Sequence, residues 1–137
     1  MNEVSTGMKT LVDAAPGSIH NSFYTGIGGR FYYYVAPQKA TFPYAVHWYP
    51  NEANDPYLSE DHEEILVQLD VFSQNSDSAE CGTLVGYAKS LFDNVILTVS
   101  GYTAVPMTRE FVIPSVWDMD IEAWKSTIQY RLHLIKS

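Results

Sequence analysis

Two stretches of strict alternation constrain this chain more than any other feature. Ile65, Val67, Leu69 and Val71 fall at every second residue, as do Trp124, Ser126, Ile128, Tyr130, Leu132 and Leu134. Strand side chains point to opposite faces with period two, so this pattern means a sheet with one buried face and one face open to water or a partner. Between the two stretches, Cys81, Leu84, Val85, Ala88, Leu91 and Phe92 recur at helical spacing. A scaffold of this kind presents surfaces, and the question it raises is what it binds.

The chain has 137 residues, the length of one domain, and 46% of them are apolar, enough for a core without staples. Ten tyrosines and three tryptophans exceed what one core needs. Tyr and Trp give broad contact area at small entropic cost, so the surplus points to protein–protein interfaces, with Tyr32, Tyr34, Trp48, Tyr49 and Trp117 as the candidate aromatics. Cys81 is the only cysteine, which rules out an intrachain disulfide, and it sits on the apolar stripe of the helix as a small core residue. No signal peptide, lipidation motif or apolar run approaching the roughly 20 residues of a membrane span is read, so synthesis in the host cytoplasm is expected.

Eight basic residues against sixteen acidic ones give a net charge of −8. A surface that grips nucleic acid needs clustered Lys and Arg, and here the bases are scattered. The acids are not: Glu52, Asp55, Glu60, Asp61, Glu63 and Glu64 crowd one segment around Tyr57. Such a surface repels DNA.

Along the chain, Val4, Met8, Leu11, Val12 and Ala15 predict an amphipathic helix ended by Pro16-Gly17. Residues 17–30 read as a loop; Gly26 to Gly29 lack the preceding strand and following Lys of a phosphate loop. Arg30 to Val35 reads as extended, and Phe42 to Tyr49 as a strand with Tyr44, Val46 and Trp48 on one face. Across a long acidic tip, residues 63–73 complete a hairpin. Asp77 with Glu80 looks like a capping box for the second helix, and Asp93-Asn94 ends it. Ser100-Gly101 between Val95–Val99 and Tyr102–Val105 signals a further hairpin, with Pro106 implying that its second strand is at an edge or bulged there. Ile113 to Glu122 reads as a loop. The fold class is α+β: a mainly antiparallel sheet of about five to six strands with two helices on one face, in one domain over residues 1–137.

Catalytic chemistry is hard to assemble. His20, His47, His62 and His133 lack metal-ligand spacing, and His47 and His133, opposite the apolar register, are expected to be exposed. Asp61 to Glu64 lacks the arrangement of a calcium loop. Asp118, Asp120 and Glu122 have no neighbouring Lys or His to complete a nuclease metal site. Ser59, Ser73 and Ser100 carry no nucleophile elbow. An enzyme, a metal site and a cofactor are not expected.

One resemblance covers nearly the whole chain. Gly29-Arg30-Phe31-Tyr32, Ala36-Pro37, Phe42-Pro43-Tyr44-Ala45-Val46, then Val67 to Ser73 with a helix behind it, and finally Trp124 to Leu134, together resemble the tail-completion or tail-terminator proteins of long-tailed bacteriophages. The stretch Phe111 to Glu122 departs from that pattern, being rich in apolar residues where such proteins carry a polar, glycine-containing turn. The resemblance implies a non-enzymatic structural protein of a phage or prophage virion. It implies a ring of copies, typically six-fold, at the head-proximal end of the tail tube. That ring stops tube polymerisation and forms the head–tail joining surface, so its partners are further copies, the major tail tube protein and a head-completion or connector protein. DNA passes without specific binding, and no membrane is involved. On this reading the acidic segment lines the lumen and keeps DNA from sticking, or else keeps the free subunit soluble. The alternatives are another neck or tail-tube component, or a small-ligand-binding domain with a pocket around Tyr32, Tyr34, Trp48 and Tyr49.

Overall fold

The two alternating segments pair with each other along their whole length. β3 (His62–Ser73) and β7 (Ala123–Lys136) run antiparallel from His62 opposite Ile135 to Ser73 opposite Trp124. Ile65, Val67, Leu69 and Val71 face Leu132, Tyr130, Ile128 and Ser126, and every one of these side chains is buried. Alternation thus set both the register and the core face.

The computed structural model describes residues 2–13, 22–51, 62–103 and 105–136. Among these residues three helices, α1 (Asn2–Asp13), α2 (Ser22–Ile27) and α3 (Ala79–Phe92), accompany seven strands. The remaining strands are β1 (Phe31–Tyr33), β2 (Tyr44–Asn51), β4 (Ile96–Leu97), β5 (Tyr102–Thr103) and β6 (Val105–Asp118). The sheet order is β1-β2-β3-β7-β6-β4, with β5 also pairing to β7. It is a mixed sheet, because β1 joins β2 in parallel while the other pairings are antiparallel. The fold is therefore mainly sheet, with more strands and one more helix than the sequence suggested.

One apolar cluster joins Val4, Met8 and Val12 of α1, Phe23 and Ile27 of α2, and all six predicted residues of α3 to the inward residues of β2, β3 and β7. Gly7 is needed for this approach: a Cβ there would stand 2.6 Å from the Thr98 carbonyl oxygen. Gly26 likewise leaves room for the Leu84 side chain.

Several local expectations are corrected. Part of the loop expected over residues 17–30 is the helix α2, too short to show periodicity. The extended aromatic run stops at Tyr33, because Tyr34 adopts φ 68. Glu80 does not close a capping box: α3 begins after Ser78, Asp77 accepts from the Ala79 N–H at 3.0 Å, and Glu80 accepts from Ser73 Oγ at 2.6 Å. The helix does end at Asp93-Asn94, with Asn94 left-handed at φ 59. Residues 95–99 do not form a simple hairpin with 102–105. Ile96 and Leu97 pair with Pro106 and Val105, whereas Tyr102 and Thr103 move to β7. The turn between them closes by Tyr102 N–H to the Val99 carbonyl at 3.1 Å, with Gly101 at φ 87, a type II requirement.

His47 is the largest correction among the polar residues. It is 1% exposed, shares a 2.8 Å hydrogen bond with Ser5 Oγ, and stacks on Phe31 at 4.3 Å between ring centroids. On β2 the core face is Ala45, His47 and Tyr49, so the alternation of Tyr44, Val46 and Trp48 belongs to the opposite face. That face carries a buried carboxylate, Asp70, which accepts hydrogen bonds from Thr127 Oγ1 at 2.7 Å, Trp48 Nε1 at 3.0 Å and Gln68 Nε2 at 3.2 Å. The network ties β2, β3 and β7 together, as a buried acid requires partners.

Candidate interaction surface

β6 is the long outer strand of the sheet. Its first residues are covered by β4 at Val105 and Pro106 and by the backbone of Asn94 and Val95 at Met107, and the other side of the strand pairs with β7 down to Asp118. From Thr108 onward its free side is an open edge among the described residues. Pro114 suits that position, since proline removes a ladder donor and is confined to edges and bulges.

Edge strands of soluble proteins are usually guarded by charge, yet this one is apolar. Phe111, Ile113, Val116 and Trp117 on the strand, with Met119 and Ile121 in the following turn, are 39–80% exposed. Two bulges decide which face each side chain takes. One extra residue lies between Arg109 and Phe111 and another between Ile113 and Val116, and each reverses the inward–outward phase. Ser126 Oγ holds the second bulge by donating to the Ile113 carbonyl at 2.6 Å. Phe111, Ile113 and Val116 then lie opposite Gln129, Thr127 and Lys125, on the Asp70 face, while Trp117 crosses to pack edge-on against Trp124 at 5.5 Å. A recess of about 390 Å³ lies between Ile113, Val116, Trp117, Met119 and the stem of Lys125. The buried indole N–H of Trp124 has no hydrogen-bond partner. A contiguous exposed apolar patch on an open strand edge marks a docking surface.

The opposite edge of the sheet carries the tyrosines. Tyr34, 53% exposed and held at φ 68, donates its N–H to the His47 carbonyl at 2.9 Å. Its ring rests on Tyr33 at 4.6 Å and meets Tyr49 edge-on at 6.3 Å. A bulky residue in the left-handed region is strained, and here the strain projects an aromatic ring outward.

The candidate aromatics are thus not one cluster. Tyr34 and Trp117 are exposed at opposite edges. Tyr32 and Trp48 are half-buried on the Asp70 face, where Tyr32 meets Tyr44 edge-on at 5.9 Å. Tyr49 is 5% exposed and belongs to the core, so it is withdrawn as an interface residue. Of the acidic segment, Glu52, Asp55, Tyr57, Glu60 and Asp61 lie outside the described residues, and Glu63 is placed by its backbone alone, in β3. Glu64 is described and is already engaged: Arg131 donates to it at 2.8 Å and also bonds Glu110, and His133 Nδ1 lies 3.7 Å away. The half-buried His133 accordingly belongs to this surface charge cluster.

Residues 20–112 match the family described as Tail completion protein gp17. The chain belongs to that family. The match spans α2 to the first bulge of β6 and ends before Ile113, so the apolar end of the β6 edge lies beyond it. The fold is also similar to a solved chain from the virion of a native gene transfer agent particle: TM-score 0.72 at 9% identity, with 98% of this chain and 99% of that chain covered. A second solved chain is similar at TM-score 0.61 and 11% identity, over 94% of this chain and 96% of that one. No curated protein matches the sequence.

Sequence reasoning missed Phe111, Ile113, Val116, Met119 and Ile121 as surface determinants. Their signal was present as an apolar run with a single proline, but the bulges removed the alternation that identifies a strand. Among the described residues no group of three or more His, Cys, Asp or Glu could hold a metal ion. Among them no helix is long and apolar enough to cross a membrane.

Proposed function

We propose that this tail completion family member is a structural protein of a phage or phage-like virion that works by contact and makes or breaks no bond. In this reading copies close into a ring, typically six-fold, at the head-proximal end of the tail tube. The ring ends tube polymerisation against the major tail tube protein and offers its other face to a head-completion or connector protein. Closed rings arise from heterologous contacts, in which one patch meets a different patch on the neighbour. The single observation that carries the reading is the exposed apolar edge of β6 in a chain of this family. A monomer that acted alone would gain nothing from it and would risk aggregation.

The acidic segment has a place in the same reading. Glu52, Asp55, Glu60, Asp61 and Glu63, repeated around a ring, would repel phosphates within a Debye length of about 8–10 Å and keep the passage slippery for DNA. Glu64, paired with Arg131, contributes less of that field.

Deleting the gene from a producing phage tests the function. The expected result is separate heads and tails, with tubes of uncontrolled length, restored to joined particles by the gene in trans. Normally joined, infectious particles from the deletion would overturn it.

A further inference from the structure

The outer strands of the sheet differ in how much backbone they leave open. β1 is three residues long, Phe31–Tyr33, and spends outward groups locally: the Phe31 N–H donates to the Gly29 carbonyl at 3.0 Å, and the Val35 N–H to the Tyr33 carbonyl at 2.8 Å. Tyr34 then leaves the strand direction at φ 68. β4 offers only Ile96 and Leu97. Among the described residues, β6 beyond Met107 is the one long template for a further strand.

The phase of that template can be read from Met107. Its N–H donates to the Val95 carbonyl and its carbonyl accepts from the Asn94 N–H, so both groups point away from β7. Met107 stands opposite Leu132, and the alternation of an antiparallel ladder gives the same phase to Val112 opposite Ile128 and Trp117 opposite Trp124. The N–H and C=O groups of Val112 and Trp117 therefore point out along the free edge. No charged residue interrupts the run from Phe111 to Trp117. The 390 Å³ recess beside this run is lined by apolar side chains and by Lys125. The Lys125 ammonium lies 5.8 Å from the centre of the Phe72 ring and has no carboxylate partner among the described residues.

We infer that the β6 edge is a strand-addition site, and that its occupant is an extended segment of a different virion protein. About six residues of that segment pair along Val112 to Trp117, the length of an ordinary strand. One large apolar side chain of the segment fills the recess, and an acidic residue near it meets Lys125. Backbone pairing satisfies the outward N–H and C=O groups, which a merely apolar contact would leave buried and unpaired. A second copy of this chain matches the edge poorly, because its one long open strand is its own β6. Joining two β6 edges brings two Pro114 bulges into one ladder and stops at a pair, so it does not propagate around a ring. The inference rests on the virion reading, and it assigns the β6 edge to a foreign strand and the contacts between copies to other surfaces.

Residue-resolved hydrogen exchange of the free protein and of assembled wild-type particles tests it, together with a cryo-EM reconstruction of the same particles. In the free protein the Val112 and Trp117 amides should exchange as open-edge amides, and in particles they should slow by on the order of 100-fold. The reconstruction should show a strand of another sequence paired beside them, with a large side chain in the recess and an acid at Lys125. Protection of both amides already in the free protein, an edge left open in the particle, a second copy on the edge, or a partner that covers the patch without a ladder would each overturn the inference. All four leave the virion reading standing. Particles that contain no copies of the chain would instead remove the virion reading itself.

Discussion

Acid should loosen this protein through His47, and the effect can be calculated. The imidazole lies in the core between Ser5 of α1 and the rings of Phe31 and Tyr33, which stack on it at 4.3 and 5.2 Å. Burial pushes its pKa from 6.5 down to about 4; the nearby Tyr32 backbone offsets some of that fall and the Lys9 charge adds to it. Because the folded value lies below the unfolded one, the unfolded chain takes up the proton first. Stability is intact above pH 6.5, falls by about 1.4 kcal/mol for each pH unit below that, and levels off near pH 4. The loss attributable to this ring is about 2 kcal/mol between pH 7 and 5, and about 3 kcal/mol by pH 4. Urea unfolding of the wild type and His47→Phe across this range isolates it from the carboxylates, which titrate in both proteins. Phe keeps the stacking and loses the Ser5 hydrogen bond, so the variant should be about 1 kcal/mol less stable at pH 7. It should become the more stable of the two below about pH 5.5. Parallel stability curves for the two proteins would refute the argument.

Further outcomes follow from particular contacts. Gly7→Ala, which ordinarily strengthens a helix by up to about 1 kcal/mol, should here lower stability by about 1–3 kcal/mol in the same unfolding assay, because the new methyl meets the Thr98 carbonyl. Asp70→Ala strands the donors of Trp48, Gln68 and Thr127 and should cost about 3 kcal/mol, visible also as a change in tryptophan emission. Replacing Ile113 and Val116 with Lys should leave the melting temperature of the free protein nearly unchanged while abolishing incorporation into particles, since both side chains are exposed. Cys81, whose thiol burial raises above its ordinary value, donates to the Val71 carbonyl at 3.7 Å and should resist maleimide until the protein is unfolded.

The sequence revealed the parts of this fold that obey one period without interruption. Ile65 to Val71 and Trp124 to Leu134 are uninterrupted strands, and Cys81 to Phe92 is an uninterrupted helix, so their faces and their partners were legible. His47 was misjudged for a simple reason. It alternates with Ala45 and Tyr49, but the more conspicuous Tyr44, Val46 and Trp48 belong to a second face that is itself partly covered through Asp70. The β6 edge was illegible because two bulges and Pro114 break its phase, turning a 14-residue strand into what reads as a loop. Trp117 and Tyr34 were expected as contact residues from residue type alone, and both are exposed. Their separation to opposite edges depends on strand order, which no local pattern encodes.

Gold labelling of the chain on purified particles tests the central claim most directly. A structural protein of the neck should label one spot per particle, where tail meets head, in copies that remain through purification. Label distributed along the tube, or particles that carry none, would contradict it.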